Sequence, residues 1–311
     1  MKKKSIALAL FALLVISVIL YTLFAIQPST RLKAAIAAAE GHYRKFDSEK
    51  VMPHEKDSVK KWYQYAVLKN IVHSYNDTNI STEELQFFLK NAQSAFLSEC
   101  KGNPSSCSPS ESLVPYCILK KHEGLASGKS DAQIRGEMPA VFTKALEYWF
   151  NYFQKQEITK EELNDLYSYL VAEKNCGDAE RTKKIDFMEK ILQIDQGNMS
   201  PIEKLEVSIA KLKIINKLSN SSEIPDDFQL EEILKKNVCL LPASEELSKE
   251  ISMCDAYNYY QSRYWCKSGL EQFSASDYEL AIKLLQEQPS KLEEIFCQLE
   301  LLLALKGIVQ S

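Results

Sequence analysis

From Leu32 onward, apolar residues recur at spacings of three and four, the period of one face of an α-helix. Leu32, Ile36, Ala39 and Tyr43 define the first such face, and Val59, Trp62, Tyr63, Ala66 and Val67 the second, after a polar connection broken by Pro53. Leu85, Phe88, Leu89, Ala92 and Phe96 follow. Then come an aromatic stripe (Phe142, Leu146, Trp149, Phe153) and the sets Leu163/Leu166/Tyr167/Leu170, Ile185/Met188/Ile191/Leu192, Leu205/Ile209/Leu212/Ile215 and Tyr278/Ala281/Ile282/Leu285. The last stripe is Leu292, Ile295, Phe296, Leu299, Leu302 and Leu303.

Start signals support these assignments. In a capping box, a Ser or Thr and an acid three residues later each satisfy a free backbone N–H at the other's position. The chain reads this way at Ser81/Glu84, Ser108/Glu111, Thr159/Glu162, Ser200/Glu203 and Ser276/Glu279, with Pro109 and Pro201 at the first helical position. No stretch alternates apolar and polar residues as a half-buried strand does, and nine glycines with ten prolines supply few turns for a sheet. The expected fold is all-α: stacked helical hairpins forming an irregular α-solenoid-like array or an orthogonal bundle. No repeat of fixed period is present. The Ser219 to Asp227 loop, broken by Pro225, marks a weak boundary within residues 28–311.

One stretch departs from this pattern. Ser5 to Ile26 carries no charge and follows Lys2, Lys3 and Lys4. As a helix it is about 33 Å long, enough for a hydrocarbon core of about 30 Å. Ala25-Ile26-Gln27 is a poor cleavage site, so residues 1–27 are expected to stay as a transmembrane signal-anchor rather than leave as a signal peptide. The lysines favour a cytoplasmic N-terminus. The expected setting is a bacterial inner membrane, crossed once, with the helical domain in the periplasm.

Charge and cysteines agree with that setting. The net charge is −4, and omitting the three N-terminal lysines leaves −4 − 3 = −7, which argues against nucleic acid as a partner. All eight cysteines lie beyond the anchor, an even number as expected of disulfides in a translocated domain. Cys100 closes one helical pattern and Cys107 precedes the next, so the short loop between them brings the two within bonding reach. Cys254 and Cys266 are a weaker pair, because on one Leu247–Cys266 helix they stand about 18 Å apart.

The chain holds near misses rather than a catalytic motif. Gly124 to Ser130 resembles a phosphate-binding loop with one residue too few and no preceding strand, so no nucleotide is expected. His122-Glu123 has no second His, and His42, His54 and His73 are scattered. Cys-x-x-Cys and Gly-x-Ser-x-Gly are absent, and no metal or cofactor is expected. Sequons begin at Asn76, Asn79 and Asn220, all in expected loops.

Tyr257, Tyr259, Tyr260, Arg263, Tyr264 and Trp265 crowd one short segment. Tyr257, Tyr260 and Tyr264 share a helix face, while Tyr259 is turned about 100° from Tyr260. The cluster is therefore either a helix buried between layers or a candidate interaction surface, since aromatic residues and Arg anchor protein interfaces and aromatic faces stack on sugars. The expected function is an interaction, scaffold or adaptor module of the cell envelope with an envelope protein as partner. The alternatives are an envelope hydrolase cutting cell-wall glycan with a carboxylate pair, and a carrier with an apolar cavity between helix layers.

Overall fold

The computed structural model describes residues 13–17, 27–101, 103, 106–177, 184–194, 197–219, 252–266 and 269–310. Their regular structure is helical, with no strand among the described residues. The helices are α1 (Pro28–Arg44), α2 (Val59–Tyr75), α3 (Thr82–Glu99), α4 (Val114–Ala126), α5 (Asp131–Gly136) and α6 (Ala140–Lys155). They continue with α7 (Leu163–Cys176), α8 (Lys184–Leu192), α9 (Pro201–Ser219), α10 (Met253–Trp265), α11 (Ala275–Gln286) and α12 (Leu292–Gln310). Of the Ser5–Ile26 block only residues 13–17 are described, as exposed helix; the remainder of the expected anchor, the 219–227 boundary beyond Ser219, the Asn220 sequon and Cys239 lie outside the described residues. Among the described residues no helix is long and apolar enough to cross a membrane.

Several helices start where their side chains dictate. Ser81 and Glu84 form the reciprocal box that opens α3, and Ser200 and Glu203 do the same for α9. Ser108 accepts from the Glu111 N–H and opens a five-residue π turn that runs into α4. At α11 the box lies two residues earlier than expected: Ser274 pairs with Asp277, not Ser276 with Glu279. Both serines are placed to cap, but Asp277 is the acid that turns inward, so it sets the start.

Six helices close a ring. Neighbour contacts run α2–α4–α7–α9–α10–α12 and return to α2. Paired positions show that all six point the same way. Ser110 ahead of α4 meets Asp165 of α7, and further on Lys121 reaches Asn175. Lys160 ahead of α7 pairs with Glu203 at 2.9 Å, and the charges of Lys174 and Lys217 meet near the other end. A disulfide ties Cys254 to Cys297 early in α10 and α12, and Tyr264 covers Gly307 late in both.

Returning helices lie outside. α3 runs against α2, with Lys69 of α2 at 3.0 Å from Glu84 and the Val59 N–H donating to Glu99. α6 runs against α7 in the same sense, Phe153 packing on Tyr169 and Leu146 on Gly177. α1 closes the circle against α11, α12 and α2: Arg31 pairs with Glu279, Lys306 with Glu40 at 2.6 Å, and Tyr43 donates to Gln298. From α2 to α4 and from α10 to α12 the parallel inner course follows from a returning outer helix joined by short connections.

The expected all-α class holds among the described residues, and the stack of helices closes on itself. In a solenoid each unit touches only its neighbours, whereas here the first described long helix packs on the last two. The apolar core lies between the inner and outer helices as two arcs. One joins α2, α3, α4, α6, α7, α8 and α9, the other α1, α2, α9, α10, α11 and α12, so α2 and α9 belong to both. Disulfides Cys100–Cys107 and Cys117–Cys176 brace the first arc. Cys266 is also disulfide-bonded, to a partner outside the described residues, and so is not joined to Cys254.

Candidate functional site

Inner helices bury their apolar side outward, against the outer layer, which turns a second face toward the ring's axis. At helical spacing that face carries Tyr63 on α2, which also lines a pocket with Leu85 and Phe88 of α3, Asn164, Tyr167 and Lys174 on α7, Glu206, Lys213 and Lys217 on α9, and Tyr257 and Gln261 on α10. α12 contributes Glu300, flanked by the buried Leu299, Leu301 and Leu302.

These residues meet across the ring. The charge of Glu300 acts on Tyr63, Lys213 and Tyr257, which stand on three other helices, and Tyr167 acts on Tyr63 and Tyr257. Lys213 Nζ lies 6.0 Å from the centre of the Tyr257 ring, and the Gln261 side chain touches the Tyr257 hydroxyl. Five helices thus supply one layer of ionisable and hydrogen-bonding groups.

Burial shifts every one of the ionisable groups. It pushes Glu300 up against the opposing pull of Lys213, lowers Lys213 despite Glu300, and raises Tyr63, Tyr167 and Tyr257. Yet each of them keeps part of its surface accessible. The layer is thus desolvated without being sealed from solvent. Among the described residues Lys213 and Glu300 form no ion pair with each other, although each charge acts on the other at a distance. The Gln261 Oε1 atom is buried without a hydrogen-bond partner, unusual enough for a buried acceptor to need a reason.

The two ends of the lumen differ. At the N-terminal ends of α7 and α9 a cleft of ≈ 360 Å³ is lined by Lys160, Glu161, Asn164, Glu203, Glu206 and Asn258 and reaches Lys213. Backbone donation from Ser200 and the Lys160 ammonium hold Glu203 at about 2, whereas burial, Asp255 and Glu203 raise Glu206. At the opposite end Lys217 is lowered by burial and by Lys174 and Lys121. Along α9 the carboxylates Glu203 and Glu206 therefore stand toward its N-terminal end and Lys217, with Lys174 near it, toward its C-terminal end.

The aromatic segment of α10 is divided by the helix period, and its reading as one interaction surface is corrected. Tyr259 and Tyr260 are fully buried against α11. Tyr259 donates to Asp277 Oδ1 at 2.5 Å and accepts from Arg263, while Tyr260 donates to the Asp277 carbonyl oxygen. Tyr257 faces the lumen, Arg263 is half-buried, and Tyr264 is exposed at 46 % beside Gly307; the Trp265 side chain lies outside what is described.

Other sequence candidates have structural duties or stay apart. Gly124 lies where a Cβ would strike Ile134 of α5, and Gly128 turns the chain at φ +76°, so the loop-like glycines serve helix packing and a turn. His42, His54, His73 and His122 do not converge, and no metal-binding group of residues occurs among the described residues. Sequence reasoning misses the lumen residues because polar positions at helical spacing look like a solvated face. A signal exists nonetheless for one of them: Glu300 is a single charge within the apolar run from Ile295 to Leu305. Compared with protein-family profiles, curated proteins and solved structures, the chain matches none.

Proposed function

We propose that this chain is a membrane-tethered binding protein of a cell envelope, holding a small polar molecule inside its helical ring. The observation that carries the reading is the layer formed by Tyr63, Tyr167, Lys213, Tyr257, Gln261 and Glu300, with its charges desolvated and the Gln261 Oε1 acceptor buried without a hydrogen-bond partner among the described residues. Such groups cost stability, and a concave site with convergent polar groups is where a ligand compensates them. The expected interaction role moves from an aromatic outer surface to the lumen. Ser5 to Ile26 is the tether, in a bacterial inner membrane with the N-terminus in the cytoplasm; disulfide use supports an oxidising compartment for the domain. An adaptor role follows if occupancy changes what the outer helices bind.

The test is native mass spectrometry of the full chain purified gently in detergent, beside an Asn164→Trp variant that blocks the mouth at an exposed position. A small-molecule adduct on the parent protein, reduced in the variant at equal melting temperature, is the expected result. No adduct on a folded protein, and no thermal shift with a library of small polar compounds, would refute the reading.

A second reading, hydrolysis of cell-wall glycan, draws on Glu206 and Glu300, two carboxylates raised above their ordinary range along one lumen. It requires that glycan fragments be shortened by the parent protein and left intact by Glu300→Gln.

A further inference from the structure

The lumen's chemistry narrows the ligand class, an inference that rests on the binding reading above. We propose that the site takes a short peptide with free ends, its α-carboxylate at Lys213 and Lys217 and its α-ammonium at Glu206. Lys213 and Lys217 stand one turn apart on α9, and Glu206 stands two turns toward the mouth on the same face. Seven residues of helix separate Glu206 from Lys213, about 10.5 Å of rise. An extended chain advances about 3.3 to 3.6 Å per residue, so about three residues span the two charges. A free amino acid is too short to reach both.

Charge order excludes the simpler ligands. A purely anionic molecule lying along this face of α9 meets Lys213 and Lys217 but also Glu206; a purely cationic one has the reverse conflict. Only a ligand with separated charges satisfies both ends. Between them a peptide offers amide N–H groups and carbonyl oxygens. Gln261 Oε1, buried and unpartnered, is an acceptor for the first, and the hydroxyls of Tyr63, Tyr167 and Tyr257 are donors for the second. The ≈ 360 Å³ cleft holds both Glu206 and Lys213 in its wall. Specificity thus rests on the peptide's ends and backbone, leaving its side chains to the remaining wall.

Isothermal titration of the full chain in detergent, with tri-alanine and a pool of mixed tripeptides, tests this against N-acetylated and C-amidated forms and free alanine. Free-ended tripeptides are expected to bind, each cap to weaken binding about tenfold or more, as for a lost charge-assisted hydrogen bond, and alanine to bind worst. In Lys213→Met the free acid and the amide should bind alike, while Lys213→Arg should keep the discrimination; melting temperatures check that both variants fold. Capped peptides binding as well as free ones would overturn the peptide assignment and leave the lumen as a binding site. The peptide assignment falls in the same way if no peptide binds while the protein still carries a mouth-dependent adduct. No peptide binding and no adduct would overturn both readings.

Discussion

Replacing Lys213 with Met and Glu300 with Gln in one chain separates a ligand site from a structural ion pair by the sign of a stability change. Both charges are desolvated, and no contact between them compensates. Exchanging such charges for uncharged groups of similar volume is neutral to stabilising by about 1–4 kcal/mol. For a chain of this size 1 kcal/mol corresponds to roughly 2 °C, so the double variant should melt between unchanged and about 8 °C higher in the absence of ligand.

The pH dependence follows from the directions of the shifts. Glu300, raised above its ordinary 4.5, penalises the fold at pH values above its folded pKa, and the penalty fades as pH falls through that value toward 4.5. Lys213, lowered from 10.5, penalises it at pH values below its folded pKa, and relief comes as pH rises through that value toward 10.5. The gain in the double variant should therefore be largest between the two folded pKa values and shrink toward pH 4.5 and pH 10.5. Thermal scans of parent and variant across that range are the assay. A variant that melts several degrees lower near pH 7 would show that the two charges hold the ring together, and the reasoning would be refuted.

Three further changes probe the frame around the lumen. Asp277→Ala removes the buried acceptor of Tyr259 and the cap partner of Ser274 and should cost about 2–4 kcal/mol in urea unfolding; a loss below about 1 kcal/mol would deny Asp277 its place in the core. Exchanging Cys254 and Cys297 for Ala opens a 43-residue loop, worth about 4 kcal/mol of chain entropy; unchanged unfolding under non-reducing conditions would argue against that bridge. Gly124→Ala should destabilise by about 1–3 kcal/mol through the clash with Ile134, although Ala is the better helix former, and Ile134→Val should recover part of the loss.

How far the sequence reaches depends on the range of the interaction. Elements read well because their determinants are local. The Ser81/Glu84 and Ser200/Glu203 boxes and the stripes of α3 and α6 depend on residues within a few turns. Where two local signals compete, as Ser274 and Ser276 do, the choice falls to burial of Asp277, which local pattern does not show. Closure of the ring is not legible, since Arg31–Glu279 and Tyr43–Gln298 join residues 248 and 255 positions apart. The site is a product of that closure. Tyr63, Tyr167, Lys213 and Glu300 become neighbours only after α12 returns to α2, and before that each is one polar residue on one helix. The aromatic segment of α10 stands out by composition, but its period sends Tyr259 and Tyr260 to the core and leaves only Tyr257 to the lumen.

Closure is also the claim open to the most direct measurement. A zero-length carbodiimide links an amine to a carboxylate only when the two already touch. Lys306 Nζ lies 2.6 Å from Glu40 Oε1, joining α12 to α1, while Lys291 and Glu294 form a local pair at 3.8 Å that needs no ring. The account predicts that monomeric full-length protein treated with the reagent yields a peptide joining residues 40 and 306, identified by mass spectrometry. Formation of the 291–294 link with no trace of the 40–306 link would contradict the closed ring, and with it the lumen.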